Sequence, residues 1–194
     1  DQETVVSKFI EHLSLKEKID FVFFSGDLVF SGSNSEDFEK AHKLLFEPMY
    51  DKLSLALDNI ILSPGNHDVN RNECSEALAY FFNSRENMGT NEKVDKLYLS
   101  KGKDYINSIA SINSYYQYSK KYFFKHGDSH EPLYSVHKRT LGSKKIGIIT
   151  IHSAWLSTGF LDDKNNLLFP PILIKEALKQ IKDSDIKILI KHHP

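Results

Sequence analysis

The chain has 194 residues, 40% of them hydrophobic and 26% charged, with a formal net charge of −1. That composition suits one globular domain with a substantial core; it excludes intrinsic disorder and any bulk attraction to nucleic acid or membrane, while leaving room for a local basic groove. Cys74 is the only cysteine, which excludes an intrachain disulfide, and with no apolar run of about 18 residues and no signal peptide the expectation is a cytoplasmic chain without a membrane span.

Val5 to Leu15 is predicted to be an amphipathic helix, since Val5, Val6, Phe9, Ile10 and Leu13 recur at helical spacing. Ile19 to Phe24 reads as a buried strand that ends in Ser25-Gly26-Asp27. Two glycines, Gly26 and Gly32, then flank a short apolar stretch. A helix begins at Ser35, with Glu36 and Asp37 in its first turn. Pro48 is expected to break or kink it, and a second helix should carry Met49 to Leu57. Ile60 to Leu62 is a short β-branched, apolar strand. Pro64-Gly65 turns the chain, so Asn66, His67 and Asp68 should emerge at the strand's carboxyl end, where open α/β sheets build their sites. On its own, this stretch is explained equally well as a polar turn.

Helix alternates with strand through the first third, which argues for a parallel sheet with helical crossovers. Asp27 and Asn66 would then share one rim although 39 positions separate them. Residues 73–84 are predicted helical. Residues 85–102 read as a polar loop or insertion. Asp104 to Lys125 should be helical through Tyr118, and its stripe of Tyr and Phe reads as a packing face in preference to a base-stacking platform. His126 and His130 have the spacing of a metal pair but fit a polar loop better. Two strands, Leu133 to His137 and Lys145 to Ile151, suggest a hairpin. His152 follows the second of them. A polar loop over 157–169, a helix from Ile172 to Ile181 and a last strand from Ile186 to Ile190 complete the chain. His192-His193-Pro194 stands at that strand's end. The chain opens on Asp1 and stops directly after a strand, so the expectation is a single domain over residues 1–194, trimmed at both ends from a longer protein with further domains.

Three strand ends thus carry ligand-type residues: Asp27, then Asn66 with His67, then His192 with His193. Carboxylate, amide oxygen and imidazole together suit a divalent cation such as Mn²⁺, Fe²⁺, Zn²⁺ or Ni²⁺. A carboxylate can bridge two cations, and a pair about 3.5–4 Å apart stabilises attacking and leaving oxygens at phosphorus.

Gly26-Asp27-Leu28-Val29-Phe30-Ser31-Gly32, Gly65-Asn66-His67-Asp68 and His192-His193-Pro194 resemble, in order, the middle motifs of the calcineurin-like metallophosphoesterases. Ser63 through Arg71 is a particularly close match, and Ser153-Ala154-Trp155-Leu156 resembles a segment of bacterial members. Residues 85–130 are the least typical and are expected to form a helical or loop insertion. The resemblance implies an α/β fold in which two mixed β-sheets are sandwiched between helices. It implies a metal-dependent phosphoesterase acting through metal-activated hydroxide at a dinuclear site. Two divalent ions are expected, Mn²⁺ foremost with Fe, Zn or Ni as alternatives. Asp27 would bridge them. Asn66 and His192 would ligate the second. His67 would act on the phosphate or the leaving group, and Asp68 would orient His67. His193 would stand behind the ligands, while Arg71 and His152 are candidates for substrate contact; a surface arginine and a satisfied buried histidine explain those two equally well. The substrate expected is a phosphomonoester or phosphodiester, with nucleic acid or a nucleotide, cyclic ones included, favoured. The Phe-, Tyr-, Ile-, Lys- and Asn-rich composition suggests an AT-rich bacterial genome.

The chain also departs from the family pattern. No Asp-x-His precedes Asp27, because His12 lies in the first helix, and no Gly-His-x-His follows. Those motifs are expected in the trimmed ends. The competing expectation is a catalytically incomplete module of the same fold that serves as a binding or scaffold domain. A dinucleotide-binding reading fails for want of Gly-x-Gly-x-x-Gly after a strand.

Overall fold

The computed structural model describes residues 2–15, 18–75, 77, 91–157 and 167–193. The expected helix over 73–84 lies largely outside those residues, as does most of the polar loop over 157–169. Among the described residues no helix is long and apolar enough to cross a membrane.

The first helix, α1 (Gln2–Ser14), buries Ile10. Strand β1 is shorter than the apolar run suggests and covers Val22–Phe24. It pairs in parallel with β2 (Ile60–Leu62), Val22 opposite Ile60 and Phe24 opposite Leu62. The Ser63 N–H extends this ladder to the Phe24 carbonyl at 2.8 Å. Among the described residues this sheet has two strands.

Between them the chain forms one bent helical run. In α2 (Ser35–Ala41) the Asn34 side chain caps the start by accepting from the Glu36 N–H. A π-helical turn, His42–Phe46, follows, and α3 (Glu47–Leu53) continues it. Pro48 does not break the run. It falls in the first turn of α3, where a missing N–H is tolerated. The wider π turn makes that register change, with the Glu47 N–H bonded to the His42 carbonyl. The run ends at Leu53, four residues before the helix was expected to end, with Ser54 in a left-handed conformation, φ 50°.

Residues 91–100 are helical, not a loop. Val94, Leu97 and Tyr98 sit at helical spacing within charged neighbours, and Val94 and Tyr98 are buried in α4 (Asn91–Ser100). The expected single helix after Asp104 is two, α5 (Lys103–Ala110) and α6 (Asn113–Tyr122), with a turn at Ser111-Ile112. Their Tyr105, Tyr115 and Tyr118, with Phe123, are buried core.

The larger sheet is mixed. Its order is β3 (Ser129–Glu131), β4 (Tyr134–Leu141), β5 (Lys144–Ile151) and β6 (Ile186–Ile190). The first three are antiparallel, β4 and β5 forming the expected hairpin about Gly142 at φ 58°. Strand β6 joins β5 in parallel, Thr150 opposite Ile190, after α7 (Pro171–Gln180).

Three apolar clusters layer the molecule. Helices α1 to α3 and α6 cover the small sheet through Phe38, Phe46, Met49, Tyr115 and Tyr118. Ile61, Ile146, Ile148 and Ile190 pack one sheet on the other. Helices α4, α5 and α7 cover the large sheet around Trp155. Helix, sheet, sheet, helix is the expected α/β arrangement. One hydrogen bond aligns the two sheets at the site end: the Ser63 hydroxyl donates to the Ile151 carbonyl at 3.0 Å. The carboxyl ends of β1, β2, β5 and β6 therefore share one rim.

Candidate metal centre

Two glycine-bearing turns meet on that rim. Gly26 has φ 118° and Asp27 φ 59°, a left-handed pair that carries the chain sharply out of β1. A non-glycine residue there is strained by about 1–3 kcal/mol, although Asp tolerates it better than most. Gly65 lies so close that a Cβ would strike the Asp27 carboxylate and come within 2.5 Å of its backbone nitrogen. A Cβ on Gly26 would meet the Gly65 nitrogen and the His192 Nδ1, both at 2.6 Å. The two glycines therefore let the Asp27, Asn66 and His192 turns close on one another.

Asp68 holds this junction. Its side chain is fully buried. Oδ2 accepts the N–H of Asp27 at 2.9 Å and of Gly65 at 2.8 Å, and Oδ1 accepts the N–H of Val29 at 3.1 Å. The role expected for it, orienting His67, is not what it does. Burial pushes its carboxyl up to about 6, against the pull of those three N–H groups.

His67 is oriented by backbone instead. Its Nδ1 lies 2.9 Å from the Phe30 carbonyl, which only accepts, so Nδ1 carries the proton and a neutral ring keeps its lone pair on Nε2. The His67 N–H also donates to Asp27 Oδ1 at 3.1 Å. The Phe30 ring stands 5.6 Å from the imidazole, inclined at 42°.

His192 is held in the same way. Its Nδ1 donates to the Ser25 carbonyl at 2.9 Å, which turns Nε2 toward Asp27 Oδ2 at 3.4 Å. A carboxylate oxygen thus faces an imidazole lone pair, and neither can donate to the other. A cation shared by both would satisfy the contact. Fixing Nδ1 on a carbonyl so that Nε2 faces a ligand position is the arrangement found behind metal-bound histidines. The residues present therefore fit one divalent ion in part: Asp27 and His192 converge, and Asn66 stands on the turn packed against Asp27. Among the described residues no group of three or more His, Cys, Asp or Glu side chains is set to hold a metal.

The remaining candidates are dispersed. His193 stands edge-on to His192, 4.6 Å between ring centres, and its backbone N–H donates to the Ser153 hydroxyl at 3.1 Å. Arg71 is exposed on a short 3-10 turn that Asn70 caps. His152 is 2% exposed, enclosed rather than open to the rim. It lines a cavity of about 20 Å³ with Tyr115, His130, Ser135 and Thr150. Neither of its ring nitrogens has a hydrogen-bond partner among the described residues, so it is not a satisfied core histidine, and burial pushes its pKa down to about 3. His126 and His130 do not pair: His126 is exposed, while His130 stacks on Phe124 and Tyr116 and meets the Ser119 hydroxyl at 3.1 Å.

One polar network has no counterpart in the sequence reading. The Asp128 carboxylate, 1% exposed, accepts both terminal nitrogens of Arg139, at 2.8 and 2.9 Å, and the Nδ1–H of His137 at 3.1 Å. His137 Nε2 meets the Ser135 hydroxyl at 2.8 Å, which meets Thr150 at 2.6 Å. Burial pushes the Asp128 carboxyl up, but the bonds from His137 and Arg139 outweigh it and hold it far below the usual carboxylate range. Its Ser135 and Thr150 also line the cavity beside His152. Its only sequence signal is the alternation Ser135, His137, Arg139 along one face of β4.

The family model described as calcineurin-like phosphoesterase matches residues 2–194. No curated protein and no solved structure matches the chain.

Proposed function

The chain belongs to the calcineurin-like phosphoesterase family, and from that premise we propose that it hydrolyses phosphate esters, a nucleotide or nucleic-acid phosphodiester being the favoured substrate, at a site centred on Asp27 for two divalent cations, of which the described residues supply the ligands of one in part. The observation that carries this reading is the convergence of Asp27 Oδ2 and His192 Nε2, 3.4 Å apart, with His192 Nδ1 held by the Ser25 carbonyl so that Nε2 faces the carboxylate.

Asp27, His192 and Asn66 would hold the cations, with Mn²⁺ the first candidate. When bound, such ions supply Lewis acidity and a water of lowered pKa. The chain's own groups then do the rest. The Asp27 N–H, held by Asp68, keeps the carboxylate at the rim. With a second proton on Nε2, His67, its Nδ1–H held by the Phe30 carbonyl, would donate to a phosphate oxygen or give that proton to the departing alkoxide and return to the neutral ring. General acid work of that kind is typically worth about 10²–10⁴-fold. Asp68 sets the distance between the two turns and takes no part in proton transfer to His67.

A second reading, a binding or scaffold module on the same fold, is favoured by one observation. Asp27 and His192 converge, yet among the described residues no group of three or more His, Cys, Asp or Glu side chains is set to hold a metal. A screen separates the two. Hydrolysis of bis-p-nitrophenyl phosphate and p-nitrophenyl phosphate is followed with Mn²⁺, Zn²⁺, Ni²⁺ or Fe²⁺ added, alongside metal content by mass spectrometry. Metal-stimulated turnover supports the enzyme; metal-free protein that turns over neither ester in any of these ions supports the module.

A further inference from the structure

We propose that Phe30 is the platform on which an aromatic group of the substrate stacks, a nucleobase above all, so that the rim prefers nucleotide phosphates to phosphates of aliphatic alcohols. The inference rests on the phosphoester reading of the rim and adds to it the group beyond the phosphate.

At 90% exposure Phe30 is the most exposed large apolar side chain among the described residues. A lone exposed phenylalanine needs no explanation in itself. This one is different in its position and in how it is held. It lies three residues from Asp27, and its ring forms an open V with the His67 ring, 5.6 Å and 42° apart. A phosphate at Asp27 and His192 with its ester oxygen toward His67 would carry its organic group past that V.

The backbone beneath the ring is fixed on both sides. The Val29 N–H is bonded to buried Asp68, the Phe30 carbonyl takes the His67 Nδ1–H, and Gly32 packs so tightly on the Asp68 and Val69 backbone that a Cβ would collide there. A rigid aromatic ring on a fixed loop loses little entropy when it binds. Stacking also suits the charge of the chain. With a net charge of −1, a nucleobase face offers recognition that needs no basic patch.

The loop's hold on His67 runs through the Phe30 backbone carbonyl, so replacing the side chain removes the ring and leaves that bond. An almost fully exposed ring is also dispensable for folding. Adenosine 5′-monophosphate and ribose 5-phosphate share a phosphate and a ribose and differ by the base. Calorimetric titration of both should give the wild-type protein tighter binding of the nucleotide. Phe30→Ala should weaken the nucleotide about five- to tenfold, the low end of base–aromatic stacking. It should change ribose 5-phosphate less than twofold, and Phe30→Tyr should restore nucleotide affinity. In steady-state assays Phe30→Ala should raise KM for bis-p-nitrophenyl phosphate more than it lowers kcat. Equal affinity of the wild type for the two phosphates, or equal weakening of both by Phe30→Ala, would overturn the stacking role while hydrolysis persists. A wild-type protein that binds neither phosphate and hydrolyses no phosphoester would overturn both this role and the function it rests on.

Discussion

The carboxylate of Asp68 accepts the backbone N–H of Asp27, 41 positions earlier, at 2.9 Å. The same carboxylate takes the N–H groups of Gly65 and Val29. It therefore joins the turn after β1 to the turn after β2 and stabilises the left-handed backbone at Asp27.

Asp68→Asn should destabilise the fold and not merely the site. The amide presents an NH₂ group to backbone N–H donors and leaves at least one of them unpaired in a buried setting, at a cost of about 1–3 kcal/mol. For a chain of this length the melting temperature should fall by roughly 2–10 °C. Thermal denaturation followed by circular dichroism checks it. An unchanged melting temperature would mean that the three bonds do not hold the junction.

His67→Ala should separate chemistry from metal binding. The imidazole ring is held by Phe30, and it is the backbone N–H of His67, kept in the alanine variant, that meets Asp27. Turnover should drop by about 10²–10⁴-fold, with metal content equal to that of the wild type. Loss of the metal together with the activity would make His67 a ligand instead.

Arg139→Met should be among the most destabilising single changes away from the rim. It leaves Asp128 buried, with the His137 N–H but without either guanidinium bond. Removing one partner of a buried pair typically costs about 3–5 kcal/mol. Chemical denaturation should show a lower midpoint with phosphoesterase turnover per folded molecule retained. A variant as stable as the wild type would show that the network is dispensable.

Stability should fall on mild acidification. Burial pushes His130 and His152 from 6.5 to about 3, so both rings stay neutral in the folded protein while they charge in the unfolded chain. The unfolded state then binds more protons between about 6.5 and 3, and stability is lost as pH drops through that window, by up to about 1.4 kcal/mol per unit and per histidine. His42 and His137, also lowered by burial, act in the same direction. Asp68 acts oppositely: raised from 3.8 to about 6, it favours the folded state at low pH and loses that contribution as pH rises through about 6. The histidines outnumber it. Melting temperatures of metal-free protein should be level from pH 7.5 to 9 and lower at pH 5. An equal or higher value at pH 5 would contradict the assignment of neutral buried rings.

Local signals made the sheet ends legible. Val22–Phe24 and Ile60–Leu62 are apolar runs that stop at a turn glycine or Pro-Gly, and the parallel pairing followed from the helices between them. Asp27 and Asn66 came to one rim for the same reason, while His192, on the other sheet, reaches it where the Ser63 hydroxyl donates to the Ile151 carbonyl. What could not be read was carried by backbone. The groups that orient His67 and His192 are carbonyls of Phe30 and Ser25, 37 and 167 positions away, and a carbonyl has no residue identity. Asp68 looked like a partner for its neighbour His67, yet three N–H groups across the junction outcompete a single imidazole. In α4 the charged residues around Val94, Leu97 and Tyr98 hid a helical face from a reading weighted by overall polarity. Pro48 was expected to break its helix because nothing local announces the π turn that moves it to a tolerated position.

Asp27 is the residue proposed to hold the cation at the junction of the two turns. The most direct measurement is Mn²⁺-stimulated hydrolysis of bis-p-nitrophenyl phosphate by the wild type and by Asp27→Asn, with Mn²⁺ binding measured on both. The exposed carboxylate makes folding of the variant safe to expect. Stimulated activity should be abolished and Mn²⁺ affinity should fall at least tenfold in Asp27→Asn. Equal activity in the two proteins would contradict the metal site.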